Sequence, residues 1–379
     1  MPRLVVDAFG TTVLVHCADA DRDRLSGQWA RCLLPDDTAV PDDVPTLTHP
    51  GGELTDSHDY ALASALTTAA ITDQAGERLM FHACGLADPA SGRVAVLVAA
   101  SGTGKTTAAV RLSQAGLGYV SDETIAVDAD DTVRRYPKPV SVVIDPAVPY
   151  AKSQHGPDEL AMTPAPDGAL HAAAVVLLRR SRDTPRAPEL TAVPLIDGLI
   201  ELIPQTSALP RMRRPLRRLA DLVASLGGPW RLDYSEIGEA TDLVRTALTS
   251  RRPPLGFVHH PPPATGDEDR SEAKDDAATG DEDRSEAKDD AATGARALRR
   301  GDYLDAIEHD GRVLLLRGNR PIVLDGLGAL AWLHADTEDF DRHDLLALAR
   351  ESFGDHPDAE RLVDEAVGEL LDHGVLRAH

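Results

Sequence analysis

Residues 94–112, VAVLVAASGTGKTTAAVRL, pass from a continuous apolar run through small residues into Lys-Thr-Thr and then into a helix-favouring segment. Strand, glycine-rich turn and helix in that order make a phosphate cradle. Gly102 and Gly104 let the backbone curl so that successive N–H groups point at phosphate oxygens, and the helix N-terminus adds the positive end of its dipole. The candidate nucleotide-binding residues are Ser101, Gly102, Thr103, Gly104, Lys105, Thr106 and Thr107. Lys105 supplies a point charge for the β- and γ-phosphates, and the Thr106 hydroxyl is placed to ligate Mg²⁺. The expected ligands are a nucleoside triphosphate, with ATP as the default, and Mg²⁺. One position departs from the pattern GxxxxGK[ST]: Ala99 stands where glycine is usual. Alanine restricts φ, so either Ala99 takes an ordinary conformation or the loop is remodelled.

A phosphate loop needs a carboxylate partner to hold Mg²⁺ or to activate a nucleophile. YVSDETIAVD places Asp122 and Glu123 just after a short apolar strand. Adjacent acids point in different directions, so one can face a metal while the other faces solvent or substrate. An acidic turn without chemistry is the plain alternative.

These pieces have an order. MFHACGLAD, SGTGKTT and VSDET resemble the catalytic domain of HPr kinase/phosphorylase and its shorter relatives, over roughly residues 60–250. The resemblance implies that Asp122 is a general base toward an accepting hydroxyl, assisted by His82, and that Glu123, Asp122 and Thr106 serve Mg²⁺. His82 lies 23 residues before Lys105; without the resemblance it reads as a histidine packed in a strand. YPKPVSV resembles a segment in which a lysine, here Lys138, approaches the nucleotide or substrate phosphate. The second acid of the family is commonly aspartate, where this chain has Glu123. The family's second glycine-rich signature is missing, so neither HPr as substrate nor phosphorolysis is expected. The family also implies that a homo-oligomer, up to a hexamer, is open.

The rest of the first 250 residues supplies the scaffold. RLVVDAF and TTVLVHCA read as strands, DRDRLSGQWARCLL as a helix, about 35–56 as a loop, and YALASALTTAAITDQ as a helix. RLMFHACGLAD and RVAVLVAA are strands joined by a turn; PVSVVID, AAAVVLLRR and ELTAVPL are later strands. ALPRMRRPLRRLADLVASL and SEIGEATDLVRTALTS read as helices. Interleaved strands and helices give an α/β (α+β) phosphate-loop domain around a buried sheet.

Composition bounds what surrounds it. The 379 residues suffice for two domains, and 42% hydrophobic with 27% charged residues is ordinary for a globular chain. The net charge of −23 argues against nucleic-acid binding. ATGDEDRSEAKDDA occurs at 264–277 and again at 278–291; with six acids and two bases per copy, the pair accounts for −8 and leaves −15. No segment has the length of apolar residues a membrane span needs, and MPRLVVDAFG has no apolar signal-peptide core, so a cytoplasmic protein is expected without membrane partners. Cys17, Cys32 and Cys84 are far apart and read as buried thiols.

The chain parses into four regions: 1–75, an N-terminal α/β subregion packed on the core; 76–252, the phosphate-loop domain; 253–297, a disordered acidic linker; and 298–379, a small C-terminal domain. RRPPLGFVHHPPP opens the linker, and His259 with His260 reads as solvated. The C-terminal piece shows short strands with turns at DG and GN, then three helices. Its IVLDGLGALAWLH resembles the PqqD-like domain, a winged-helix module, with Leu324-Asp325 where Leu-Asn is usual. That resemblance implies leader-peptide recognition by strand addition; the acidic final helix disfavours DNA. Trp332 reads as core.

The combined expectation is an ATP- and Mg²⁺-dependent phosphotransferase acting on a Ser or Thr hydroxyl of a ribosomally made precursor peptide, whose leader binds 298–379. A small-molecule kinase, or a nucleotide-regulated peptide-binding chaperone favoured by Ala99, stand as alternatives.

Overall fold

The computed structural model describes residues 2–52, 54–145, 148–182, 185–263, 297–336 and 340–379. The chain divides into two units, Met1–Val258 with Gly318–Pro321 and His259–Arg317 with Ile322–His379. Both repeat copies lie outside the described residues.

The first unit opens with β1 (Arg3–Ala8), β2 (Thr11–His16), α1 (Asp19–Gln28), β3 (Thr46–Thr48) and α2 (Thr55–Asp73). β1 and β2 form an antiparallel hairpin, and β3 joins β2 in parallel. α2 buries Leu62, Ala63, Leu66 and Ala70 at helical spacing. The cluster that includes Leu66 also takes in Met80, Ala126 and Tyr136. The N-terminal 75 residues thus share a core with the phosphate-loop region.

Next come β4 (Leu79–Ala87), β5 (Arg93–Val98), α3 (Lys105–Gln114), β6 (Gly118–Ser121), β7 (Thr124–Val127), β8 (Val140–Asp145), β9 (Val148–His155), β10 (His171–Arg180) and β11 (Glu189–Ala192). α4 (Leu195–Leu202), β12 (Thr206–Ser207), α5 (Pro215–Ser225), β13 (Trp230–Tyr234) and α6 (Thr241–Thr249) complete the unit. Eight strands form one sheet, in the order β11-β13-β10-β5-β4-β12, with β6 and β7 also on β4. β5, β10 and β13 run parallel, and both β4 and β11 run against them. The parallel strands read as unbroken apolar runs because both faces are covered; Val94, Ala95, Val96 and Leu97 are fully buried.

β4 is the strand that organises the site. Along one edge it pairs with β5 from Ala83 to Ala87, and then with β12 at Phe81 and Met80. Along the other it pairs with β6 from Gly85 to Ala87, and then with β7 from Leu79 to His82. Each edge therefore changes partner near Ala83. Each change leaves a gap in the regular pairing, and His82 sits beside both.

The second unit contains β14 (Val258–His260), whose first residue closes the first unit, and then β15 (Leu298–Arg300), β16 (Asp305–His309), β17 (Arg312–Arg317), β18 (Arg320–Leu324), whose first two residues count with the first unit, α7 (Gly326–His334), α8 (Arg342–Phe353), α9 (Ala359–Asp372) and β19 (Leu376–Ala378). Its sheets are β14-β16-β17-β18 and β15-β19. Asp341 caps α8 with a full capping box to Asp344. Trp332 is fully buried among Ala306, Leu315, Phe340 and Leu345. The linker expected over 253–297 is corrected at its start. Leu255 N–H donates to the Ala224 carbonyl at 2.9 Å, and 258–260 is a strand. Proline-rich composition hid segments that make specific pairings.

Candidate nucleotide and phosphoryl-transfer site

From one gap comes the phosphate loop. β5 ends at Val98, and the chain turns through 99–104 into α3. Gly102 at φ 78° and Gly104 at φ 108° hold left-handed conformations that a side chain disfavours. Ala99 is not among the residues with positive φ; it is buried in the core that includes Leu97 and Ala108. The missing glycine is thus met by an ordinary backbone, and the loop is not remodelled there. Ser101, Gly102 and Thr107 are exposed, while Thr103, Gly104 and Thr106 are half-buried. Lys105 Nζ donates to the carbonyls of Ala99 at 2.6 Å and Ala100 at 3.2 Å. Burial holds its ammonium below the usual lysine value, which suits a cation that gains from an anionic ligand.

From the other gap comes the acidic pair. Asp122 and Glu123 fill the step between β6 and β7, and the Glu123 carbonyl accepts from Ala83 N–H at 3.2 Å. Asp122 is buried and Glu123 half-buried. Lys138 Nζ lies 3.3 Å from Asp122 Oδ1 and 3.1 Å from Glu123 Oε2. The Tyr119 hydroxyl donates to Asp122 Oδ1 at 3.0 Å. The Thr67 hydroxyl, on α2, reaches Glu123 Oε2 at 3.5 Å and the Tyr136 hydroxyl at 3.0 Å.

Lys138, expected to approach phosphate, lies against the acid pair. Its side chain is 2% exposed, and its ammonium bridges the two carboxylates. Burial alone would lower its pKa, but Asp122 and Glu123 outweigh burial and raise it, so the lysine is charged. A buried ammonium persists only with such partners. Burial and the Asp122 charge push the Tyr119 phenol well up, which keeps it a donor.

His82 is half-buried and pairs with Thr124 across β4 and β7. Burial lowers its pKa first, the Lys105 charge lowers it further, and Glu123 and Asp122 oppose both. The ring is therefore neutral at neutral pH and able to accept a proton. The charges of Lys105, Asp122 and Glu123 all act on His82, and those of Asp122 and Glu123 act on Lys105, so the acids lie near both.

No family model matches this chain, and no curated protein does. Among solved structures, the chain is similar to the Hpr(Ser) kinase/phosphatase from Coxiella burnetii. The two are 12% identical, the match covers 44% of this chain and 92% of that one, and the TM-score is 0.25. A likeness that low carries no argument. The site stands on its own geometry.

That geometry adds residues beyond the expected ones. Tyr119 and Thr67 fasten the acids, and Tyr136 meets the Thr67 hydroxyl. Arg182 donates to the Gly102 carbonyl, and Arg180 is held by the Ser235 carbonyl at 3.0 Å and Glu236 at 3.1 Å. Both arginines lie at or just past the end of β10, whose C-terminal end is on the same side of the sheet as the loop because β10 and β5 are parallel. For the arginines a signal was present, as LLRRSR at the end of an apolar strand. Among the described residues, no group of three or more His, Cys, Asp or Glu forms a metal cluster. The oxygen donors available are the Thr106 hydroxyl and the carboxylates of Asp122 and Glu123. Hard oxygen donors of this kind, few in number, suit Mg²⁺ bound mainly through phosphate oxygens.

Proposed function

We propose that this chain transfers the terminal phosphoryl group of a nucleoside triphosphate to an alcohol hydroxyl. The observation that carries the reading is the meeting of two unlike arms at His82: a phosphate loop through one gap beside β4, and a lysine-anchored acid pair through the other. Loop N–H groups and Lys105 bind the β- and γ-phosphates and take up charge that develops on the transferring group. Asp122, helped by His82, accepts the acceptor's hydroxyl proton. The acceptor oxygen bonds to the γ-phosphorus, the bond to the β-phosphate oxygen breaks, and the nucleoside diphosphate leaves with that electron pair. Lys138 and Tyr119 hold Asp122 in place. Thr106 and Glu123, with Asp122, would hold Mg²⁺, which supplies charge neutralisation at the phosphates when bound.

The acceptor in this reading is a Ser or Thr of a ribosomally made precursor peptide, whose leader is held by residues 298–379. The order of short strands followed by three helices supports it, and so does the value of raising a substrate's local concentration. The conformation of Ala99 leaves the chaperone alternative without its one supporting feature.

Intact-mass measurement tests both levels. The full chain is incubated with MgATP and a precursor peptide encoded beside its gene. A gain of one phosphoryl group, lost with Asp122→Asn, is expected. A peptide that binds but stays unmodified, with no ATP turnover on small alcohols either, sinks the phosphotransfer reading. Turnover on small alcohols alone sinks the peptide.

A further inference from the structure

His259 and His260 are fastened on both faces of a strand. β14 is hydrogen-bonded to β16 at the edge of the C-terminal sheet. Neighbouring residues of a strand point to opposite faces, and each histidine finds a carboxylate. His259 Nε2 lies 2.7 Å from Asp305 Oδ1, on a side chain with no exposed surface. His260 Nε2 lies 3.0 Å from Glu308 Oε2. Asp305 and Glu308 are three apart on β16, so they too face opposite sides. The His260 ring meets Trp332 edge-on at 5.4 Å between centroids. The Tyr303 hydroxyl donates to the Pro261 carbonyl at 2.8 Å.

Immediately upstream, the chain is fastened in the other unit. Besides the Leu255 bond, the Arg252 guanidinium lies over the Trp230 ring at 4.6 Å and donates to the Gly228 carbonyl at 3.1 Å. Leu255 thus belongs to one unit and His259 to the next.

We propose that the outer edge of β16 is a docking site for an extended segment with two adjacent imidazoles, and that its occupant is the strand bearing His259 and His260 of this same chain. Its chemistry is specific: an extended segment with two adjacent imidazoles, read by a buried carboxylate on one face and by a carboxylate with an indole on the other. The inference is independent of the phosphotransfer reading.

Hydrogen-exchange mass spectrometry on the full chain tests it. Peptides covering 257–261 are expected to be protected, independently of protein concentration, and to stay so when one repeat copy, 278–291, is deleted. His259→Ala with His260→Ala should speed exchange at 257–261 by about tenfold while β17 keeps its protection. Should the double variant loosen β17 as well, Glu308→Gln provides the milder change and should speed 257–261 by about threefold with β17 unmoved. Unprotected amides at 257–261 in the parent protein would overturn the proposal, as would protection indifferent to the variants. Protection that falls on dilution would place the strand of a second copy in the site and overturn its occupancy within one chain.

Discussion

The two arms that reach His82 are built on opposite plans. The phosphate arm is main chain and surface: exposed small residues, two left-handed glycines, and a lysine resting on the loop's own carbonyls. The acid arm is side chain and interior: two carboxylates, a buried ammonium, two tyrosines and a threonine from a helix far off in sequence. A loop that receives phosphate must have donors ready and little to undo. Carboxylates that await a proton or a metal must be kept charged where no ligand yet stabilises them. One arm is organised for an arriving charge; the other carries its counter-charge permanently.

Exchanging the two lysines for methionine tests that contrast most sharply. Lys138→Met leaves two carboxylates without their buried partner and should cost about 3–5 kcal/mol of stability, read as a fall in thermal midpoint. Lys105→Met should leave stability within about 1 kcal/mol but reduce phosphoryl transfer by about 10²–10³-fold. If Lys138→Met melts like the parent, the acid arm is not held by its lysine.

The pH dependence separates the arms next. The folded-state pKa of His82 is below its ordinary 6.5. Between that lower value and 6.5, the unfolded chain binds a proton that the folded protein does not, so this contribution to stability is full above 6.5 and lost as pH falls through that window. Transfer that needs neutral His82 should accordingly persist below pH 6.5. His82→Gln should flatten both the stability and the activity profiles there; unchanged slopes would remove His82 from the site's proton chemistry.

Smaller effects sharpen the picture. Thr67→Val keeps shape but removes the hydroxyl that meets Glu123 and Tyr136, and should cost about 1–2 kcal/mol in denaturant titration. Ala99→Gly restores the usual loop glycine, yet should destabilise by about 1 kcal/mol and leave nucleotide affinity unchanged, because Ala99 needs no special φ and its methyl is buried. Tighter nucleotide binding by this variant would mean that Ala99 does constrain the loop.

What is legible in the sequence is local. The loop lies within one strand-turn-helix, so its residue types and their spacing report it completely. Asp122 and Glu123 are visible as acids at a short strand's end. Thr67 is not, since its contact with Glu123 spans 56 residues and nothing in its helix singles it out. Lys138 stands out in the sequence, but its role depends on burial, which a lysine between two prolines does not announce. α2 starts at Thr55, inside a stretch that reads as loop, because its first turn is polar. β14 is disguised outright: prolines and histidines suggest solvent, while its partners Asp305 and Glu308 lie beyond the repeat.

Strand β10 bears on how the protein is made. It slots between β5 and β13, so the strand that carries the phosphate loop keeps an open edge until His171–Arg180 has emerged from the ribosome, and β10 itself waits for Trp230–Tyr234. A nascent chain halted before residue 171 already contains every loop residue, but β5 then has β4 alone as its partner and its other edge stays open. Nucleotide affinity should therefore arise late in synthesis, in one step, and can report that the first unit has closed.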